Sequence, residues 1–332
     1  MDILIKSFNR PYYLHRCIHS IYENVLDFHF VIKILDDGTP AKYLHKIQAE
    51  FPEVIILKSS FYDEKSTSIE NNQKLNKSEI PIDSWLDAAK NASEYFVLLE
   101  DDIWLTEKIN LEETHKKLKE ENICFLKLFW LANPLLIHGT TIKEIKGISV
   151  FKPDVFVKNS LLYKMIFGIS RFRKLMKFLN LYSDKRYLNY YAIYSVAGVV
   201  FHKEYFLALW NNHQNVVDEN LQMQNAIRFW SKNPSVQFAR MNQEAARTGF
   251  LSSATNKNYD SGNFDVFEFN KILNEAWFKD DFDILKDIPS DLNQEMIVKL
   301  LQNVNNPKAQ VADWLKWVSC FKSQFRSFGC KI

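Results

Sequence analysis

Tyr95-Phe96-Val97-Leu98-Leu99-Glu100-Asp101-Asp102, residues 95–102, decides how this chain is read. Its first five residues are apolar without a break, as in a strand covered on both faces by a parallel sheet's helices. Its last three are carboxylates. Adjacent carboxylates repel unless positive charge sits among them. Hard divalent cations favour such oxygens, and Mg²⁺ is commonly shared between one or two carboxylates and substrate phosphates. An acidic triplet by itself is more often a solvated turn or a helix start. Here the buried-looking strand ahead of it lifts the carboxylates to a sheet edge, which turns the balance toward a site.

The same alternation of strand and helix extends upstream. Ile3-Leu4-Ile5 is a short apolar run, followed by Leu14, Cys17, Ile18 and Ile21 at helical spacing. FVIKIL at 30–35 ends in Asp36-Asp37-Gly38, and Thr39-Pro40 fits a helix start. Val54 to Leu57 is a third strand, residues 59–79 read as a polar loop, and a helix through Trp85 to Ala89 precedes the quoted strand. Downstream, a charged helix near 110–122 leads to CFLKLF at 124–129. Such repetition predicts an open, mostly parallel α/β sheet with right-handed crossovers. Ligands of these sheets sit beyond the carboxyl ends of the strands. Three polar clusters fall there: Ser7 to Arg10, Asp36 to Gly38, and Glu100 to Asp102. Arg10 opens a helix whose N-terminus favours anions; as a plain capping-turn residue it is equally well explained. Asp36-Asp37 suits a nucleobase or ribose, or simply a turn with a permissive glycine.

IKSFNRP, ILDDGTP, DAAKN and YFVLLEDD, in this order, resemble the A-type-fold glycosyltransferases, especially the inverting family 2 type. The likeness covers residues 1–105 and continues more loosely to 255. It implies a Rossmann-like catalytic domain over 1–262, with a nucleotide-sugar half (1–130), an acceptor half (131–262), and a helical C-terminal region over 263–332. It implies that Ser7, Asn9, Arg10, Asp36, Asp37, Lys90, Asn91 and Asp101 contact a nucleotide sugar, UDP-linked by preference. Asp102, with Glu100 in the first position of the D-x-D motif, would hold Mn²⁺ or Mg²⁺. Asp218-Glu219, at the start of a later helix, would supply the general base, with Asp218 preferred. Acidic residues there also complement a helix dipole. Gly198 resembles a glycine lining the acceptor side. The late metal-binding His of many relatives is missing, so either water, phosphate and carboxylates complete the metal shell or Asn242, Glu244 or Arg247 replaces that contact. Arg247-Thr248-Gly249 resembles a segment closing over the diphosphate. The implied activity is metal-dependent sugar transfer, EC 2.4, to a glycan or lipid-linked hydroxyl in bacterial surface glycan synthesis. A catalytically inactive, nucleotide-sugar-binding scaffold is the alternative. A sugar-phosphate nucleotidyltransferase fits less well, since no glycine-rich loop follows strand one.

Composition sets the remaining bounds. Hydrophobic residues at 47% and charged residues at 25% describe a folded chain, and 8 Gly and 9 Pro exclude collagen-like sequence. A net charge of +2 gives no global case for nucleic acid. Cys17, Cys124, Cys320 and Cys330 show no metal spacing, which favours a reducing compartment. His15 and His19 lack a third ligand. With no signal-like start, a cytoplasmic chain is expected, at most peripheral at the inner membrane face. Residues 155–191 mix cations with apolar side chains, which suits a lipid-facing segment, a lid or a plain packed helix. The same options hold for Trp314 and Trp317 near the C-terminus, with homodimerisation as another.

Overall fold

The computed structural model describes residues 1–26, 29–73, 79–214, 216–255 and 262–332. Its strands are β1 (Asp2–Ser7), β2 (Val31–Asp36), β3 (Ile55–Lys58), β4 (Tyr95–Glu100), β5 (Ile103–Leu105), β6 (Ile123–Lys127), β7 (Gly139–Ile145), β8 (Ile148–Pro153), β9 (Val199–His202), β10 (Gln237–Met241) and β11 (Ala246–Thr248). Nine of them form one sheet in the order β3-β2-β1-β4-β9-β6-β10-β8-β7. Only β8 and β9 run against the rest. The expected α/β architecture, with a helical C-terminal region, is what the chain adopts. β5 and β11 pair separately as a small antiparallel ribbon.

The pleat sorts the strand residues into two cores. Ile3, Ile5, Val97 and Leu99 face the first helix, Pro11–Asn24, and the C-terminal helices Val266–Phe278, Gln294–Val304 and Val311–Ser327. Leu4, Phe96 and Leu98 face the helices Ile82–Lys90, Lys203–Leu209 and Glu219–Lys232. Trp314 and Trp317 belong to the first core, fully buried, so neither is a lipid or dimer anchor. Amphipathic packing of the last helix, rather than an exposed aromatic belt, explains their spacing.

Three local expectations give way. Residues 59–79 are not a continuous loop: Tyr62–Glu70 is helical, with Asp63 and Glu64 in its first turn. Its weak apolar period hid it. Thr39 does not cap the second helix, Ala41–Glu50, because its hydroxyl donates to Asp36. AIYSVAGVVFH at 192–202 reads as one strand from its apolar run, yet it is a strand only from Val199. Before it, Gly198 sits at φ +70, donating to Leu98 O and accepting from Leu128 N. A Cβ there would lie 2.0 Å from Phe129 Cε1. Gly198→Ala should therefore lose about 2–4 kcal/mol of stability in denaturant unfolding, combining left-handed strain with overpacking. Wild-type stability in that variant would show that the Phe129 loop yields.

Candidate functional site

β1, β2 and β4 end level with one another. Ser7 pairs in register with Asp36, and Lys6 with Glu100. Consecutive side chains on β4 point to opposite faces, so the acidic triplet splits. Glu100 emerges on the Trp85 face, where Lys6 donates to it at 2.7 Å while standing 4.7 Å over the Trp85 ring. Burial alone would raise the Glu100 carboxyl; Lys6 outweighs it and holds it below its usual value.

Asp101 and Asp102 turn toward the first helix instead. Arg10, immediately before Pro11, reaches both: Nη2 donates to Asp101 Oδ1, and Nη1 to Asp102 Oδ2 at 2.8 Å. Phe8 N also donates to Asp101, at 3.3 Å. Arg10 is 3% exposed and Asp101 2%. Burial works against the charged guanidinium, but the two carboxylates outweigh it and keep Arg10 protonated. Burial raises both aspartates against the pull of Arg10. One guanidinium serves two carboxyls, and burial pushes Asp101 up to about 7. Asp102 Oδ1 is buried with no hydrogen-bond partner. The ribbon closes this corner: Thr248 pairs with Ile103, and Gly249 N donates to Asp102 O at 2.9 Å.

The second cluster is a self-contained turn. Asp36 accepts from Gly38 N at 3.0 Å, Thr39 N at 2.8 Å and the Thr39 hydroxyl at 2.7 Å. Asp37 accepts from Lys65 Nζ at 2.5 Å and the Ser59 hydroxyl at 2.6 Å. Asn9, at φ +50, donates its amide to Thr39 Oγ1 at 2.9 Å. From the C-terminal region, Asn274 Nδ2 donates to Asn9 O at 3.2 Å and Oδ1 at 3.0 Å. The crevice expected at β1 and β2 is thus lined by buried side chains under the helix Val266–Phe278, with Ser7 Oγ and Asn274 Oδ1 unpartnered.

Asp218 and Glu219 also reach the carboxyl edge, because their helix runs back to the start of β10. Their roles separate. Asp218 caps the helix, accepting from Leu221 N at 3.1 Å, and is exposed. Glu219 accepts from the Tyr191 hydroxyl at 2.6 Å. Tyr191 is fixed from behind: Lys127 Nζ, buried at the end of β6, donates to its carbonyl at 2.8 Å and to Leu136 O at 3.1 Å. Burial draws Lys127 down to about 7. Burial pushes the neighbouring Tyr194 phenol upward, and the charges of Glu219 and Glu100 push it further. Glu219 and Glu100 thus both act on buried Tyr194, whereas Asp218 caps the helix end.

Lys90 and Asn91 do not join the site. They end the helix Ile82–Lys90, and Ser93, two residues on, donates its amide to Asp2, the first residue of β1. A helix ending so close to a strand must end at that strand's amino edge. Six residues of β1 separate that edge from Ser7, roughly 17 Å. Exposed Lys90 pairs with Asp87. The late replacements scatter too. Glu244 binds the Trp130 and Ala132 amides, Asn242 meets Ser149 at 2.8 Å, and Arg247 is exposed on β11. Sequence reasoning missed Lys6, Lys65, Lys127 and Asn274. Lys6 alone left a signal, one residue before Ser7 on a strand whose pairing faces the triplet.

No protein-family model matches the chain, and no curated protein matches it in sequence. Solved structures with a similar backbone include the galactosyltransferase LgtC with donor and acceptor sugar analogues, at 11% identity over 68% of this chain and 70% of that one, TM-score 0.35. S. aureus TarS 1–349 with UDP-GlcNAc shares 11% over 96% and 80%, TM-score 0.37. Glucosyl-3-phosphoglycerate synthase from Mycobacterium tuberculosis, with Mn²⁺, UDP-glucose and phosphoglyceric acid, shares 10% over 84% and 79%, TM-score 0.37. At these values the likenesses carry no argument beyond the sheet itself.

Burial pushes Asp36 from 3.8 up to about 6, with the Thr39 and Gly38 hydrogen bonds pulling back. Between those pH values the unfolded chain releases a proton that the folded chain keeps, so Asp36 subtracts stability as pH rises through the window. Melting temperatures of Asp36→Asn should fall less steeply there than those of the wild type. Parallel curves would remove Asp36 as the titrating group.

Proposed function

We propose that this chain is a glycosyltransferase that moves a sugar from a nucleotide-diphosphate sugar, UDP-linked in the first instance, to a hydroxyl of a glycan or lipid-linked acceptor, with inversion. One observation carries the reading: the Arg10–Asp101–Asp102 cluster at the carboxyl edge, one guanidinium for two carboxyls, with a buried Asp102 oxygen left without a partner. No group of three His, Cys, Asp or Glu among the described residues is arranged to hold a metal alone. A single free carboxylate oxygen suits a cation that brings its remaining ligands from phosphate. Asp102 would hold Mn²⁺ or Mg²⁺ in that way. The bound ion would supply charge neutralisation for the departing diphosphate.

The chain's own residues take the remaining roles. Arg10 orients Asp101 and Asp102 and offsets part of the burial that raises both. The Asp36–Thr39 turn holds the strand-two end in shape, and Asp37 is the side chain there closest to exchanging Lys65 for a ligand. Glu219 is the general base, accepting the acceptor hydroxyl's proton at the oxygen now engaged by Tyr191. Tyr191 and Lys127 position it. A second reading, a nucleotide-sugar-binding protein without catalysis, is favoured by one observation: Lys6 and Arg10 already engage the triplet.

A panel of nucleotide sugars with Mn²⁺ separates the two. Turnover is expected, with Asp102→Ala losing at least about a thousandfold while its melting temperature holds. Glu219→Gln should lower kcat by about 10²–10⁴ and leave donor binding intact. Full activity in either variant removes that residue's role. Nucleotide-dependent thermal stabilisation without turnover selects the binding protein.

A further inference from the structure

Short helical turns, among them Ser160–Tyr163 and Arg173–Phe178, cover the second face of the sheet beside Glu219. Their inner side is well packed. Tyr163, Phe167 and Tyr190 form an aromatic cluster with centroids 4.6–5.3 Å apart, and Met176 is buried. Their outer side is unusual. Residues 156–179 hold eight of the twenty large apolar side chains exposed among the described residues, with Leu161 at 71% and Phe178 at 83%. Single exposed apolar residues are ordinary; a contiguous group rimmed by charge marks a contact surface.

The charge around it has one sign. Residues 156–186 contain eight Lys and Arg against the lone acid Asp184. The whole chain has 42 cations against 40 acids, so the remainder carries 34 against 39. The basic excess belongs entirely to this segment. Lys164, Arg171, Arg173, Lys174, Lys177 and Lys185 are all exposed. Arg173 and Lys177 stand 5.5 and 5.3 Å over the Tyr182 ring, so their apolar stems lie on the protein. On the helix Arg173–Phe178, Leu175 and Phe178 share a face opposite buried Met176.

We propose that residues 156–179 dock this chain peripherally on a bilayer carrying anionic headgroups. Such a surface supplies both things the patch lacks: acyl chain for Leu161, Leu175 and Phe178, and negative charge for the cations around them. A second copy docked through the same patch would set one basic field against another. No helix among the described residues is long and apolar enough to cross the membrane, so the contact is interfacial. Tyr163 Oη lies 3.4 Å from Asn220 Oδ1, one residue beyond Glu219. The docked segment thus packs against the helix that begins at Glu219. That this delivers an acceptor hydroxyl rests on the transferase reading; the lipid contact itself does not.

The test is co-sedimentation of the full chain with phosphatidylcholine vesicles, and with phosphatidylcholine vesicles containing phosphatidylglycerol. Binding to the anionic vesicles alone is expected, weakening as salt is raised. Lys174→Ala/Lys177→Ala should weaken it by roughly tenfold or more, and Leu175→Ser/Phe178→Ser comparably. All four side chains are exposed, so melting temperatures should stay at the wild-type value. Absent binding, equal binding to neutral vesicles, or variants that bind like the wild type overturn the proposal. So does a concentration-dependent dimer that Phe178→Ser dissolves, which would make the patch an interface between copies. Vesicle binding without sugar transfer would leave this proposal standing and remove the transferase reading.

Discussion

Everything at the carboxyl edge is arranged around one buried guanidinium. Arg10 lies between Asp101 and Asp102, and taking such ions out of water costs several kcal/mol each unless geometry and hydrogen bonds compensate. Both carboxylates receive a charge-assisted bond, which offsets part of the cost; Arg10 Nε and Asp102 Oδ1 remain buried without a partner. The arrangement ties the end of β1 to the end of β4 and sets the start of the first helix. The β5–β11 ribbon then closes beside it through Gly249 and Asp102. One cation thus serves two carboxyls, and burial raises both.

The sheet was legible because its strands announce themselves. Apolar runs at 3–5, at 30–35 with Lys33 as the one break, and at 95–99 have no other economical reading, and each is followed by polar residues at the same edge. What each side chain does there was not legible. The triplet reads as three converging ligands, yet the pleat sends Glu100 to Lys6 and its two neighbours to Arg10. Asp37 reads as a free nucleotide contact, yet Lys65 from an unrecognised helix reaches it. Lys90-Asn91 fit a motif by letter and fail by position, since only three residues separate them from the strand and that fixes them at its other end. Asn274 is 265 residues from Asn9, and no local pattern carries such a pairing.

The two faces of the sheet are built differently at the site, and the difference bears on function. On the first-helix face the C-terminal helix Val266–Phe278 covers the β1–β2 edge. Asn274 holds Asn9, Asn270 holds Tyr12, and Glu275 takes the Tyr43 hydroxyl. A ligand reaching Asn9 must therefore displace Asn274, so access from that side is coupled to how firmly the C-terminal region sits. On the opposite face Glu100 and Glu219 both act on buried Tyr194, and Tyr163 of the basic, apolar segment 156–186 meets Asn220 beside Glu219. An anionic donor and a neutral hydroxyl acceptor make opposite demands on a cleft. The donor needs fixed positive charge and enclosure; the acceptor needs a base and an open approach. The Arg10 cluster falls on the first-helix side of β4, and Glu100 and Glu219 on the other. The split of the acidic triplet between two faces, which looks like a failure of the metal motif, is what gives each side its own carboxylate.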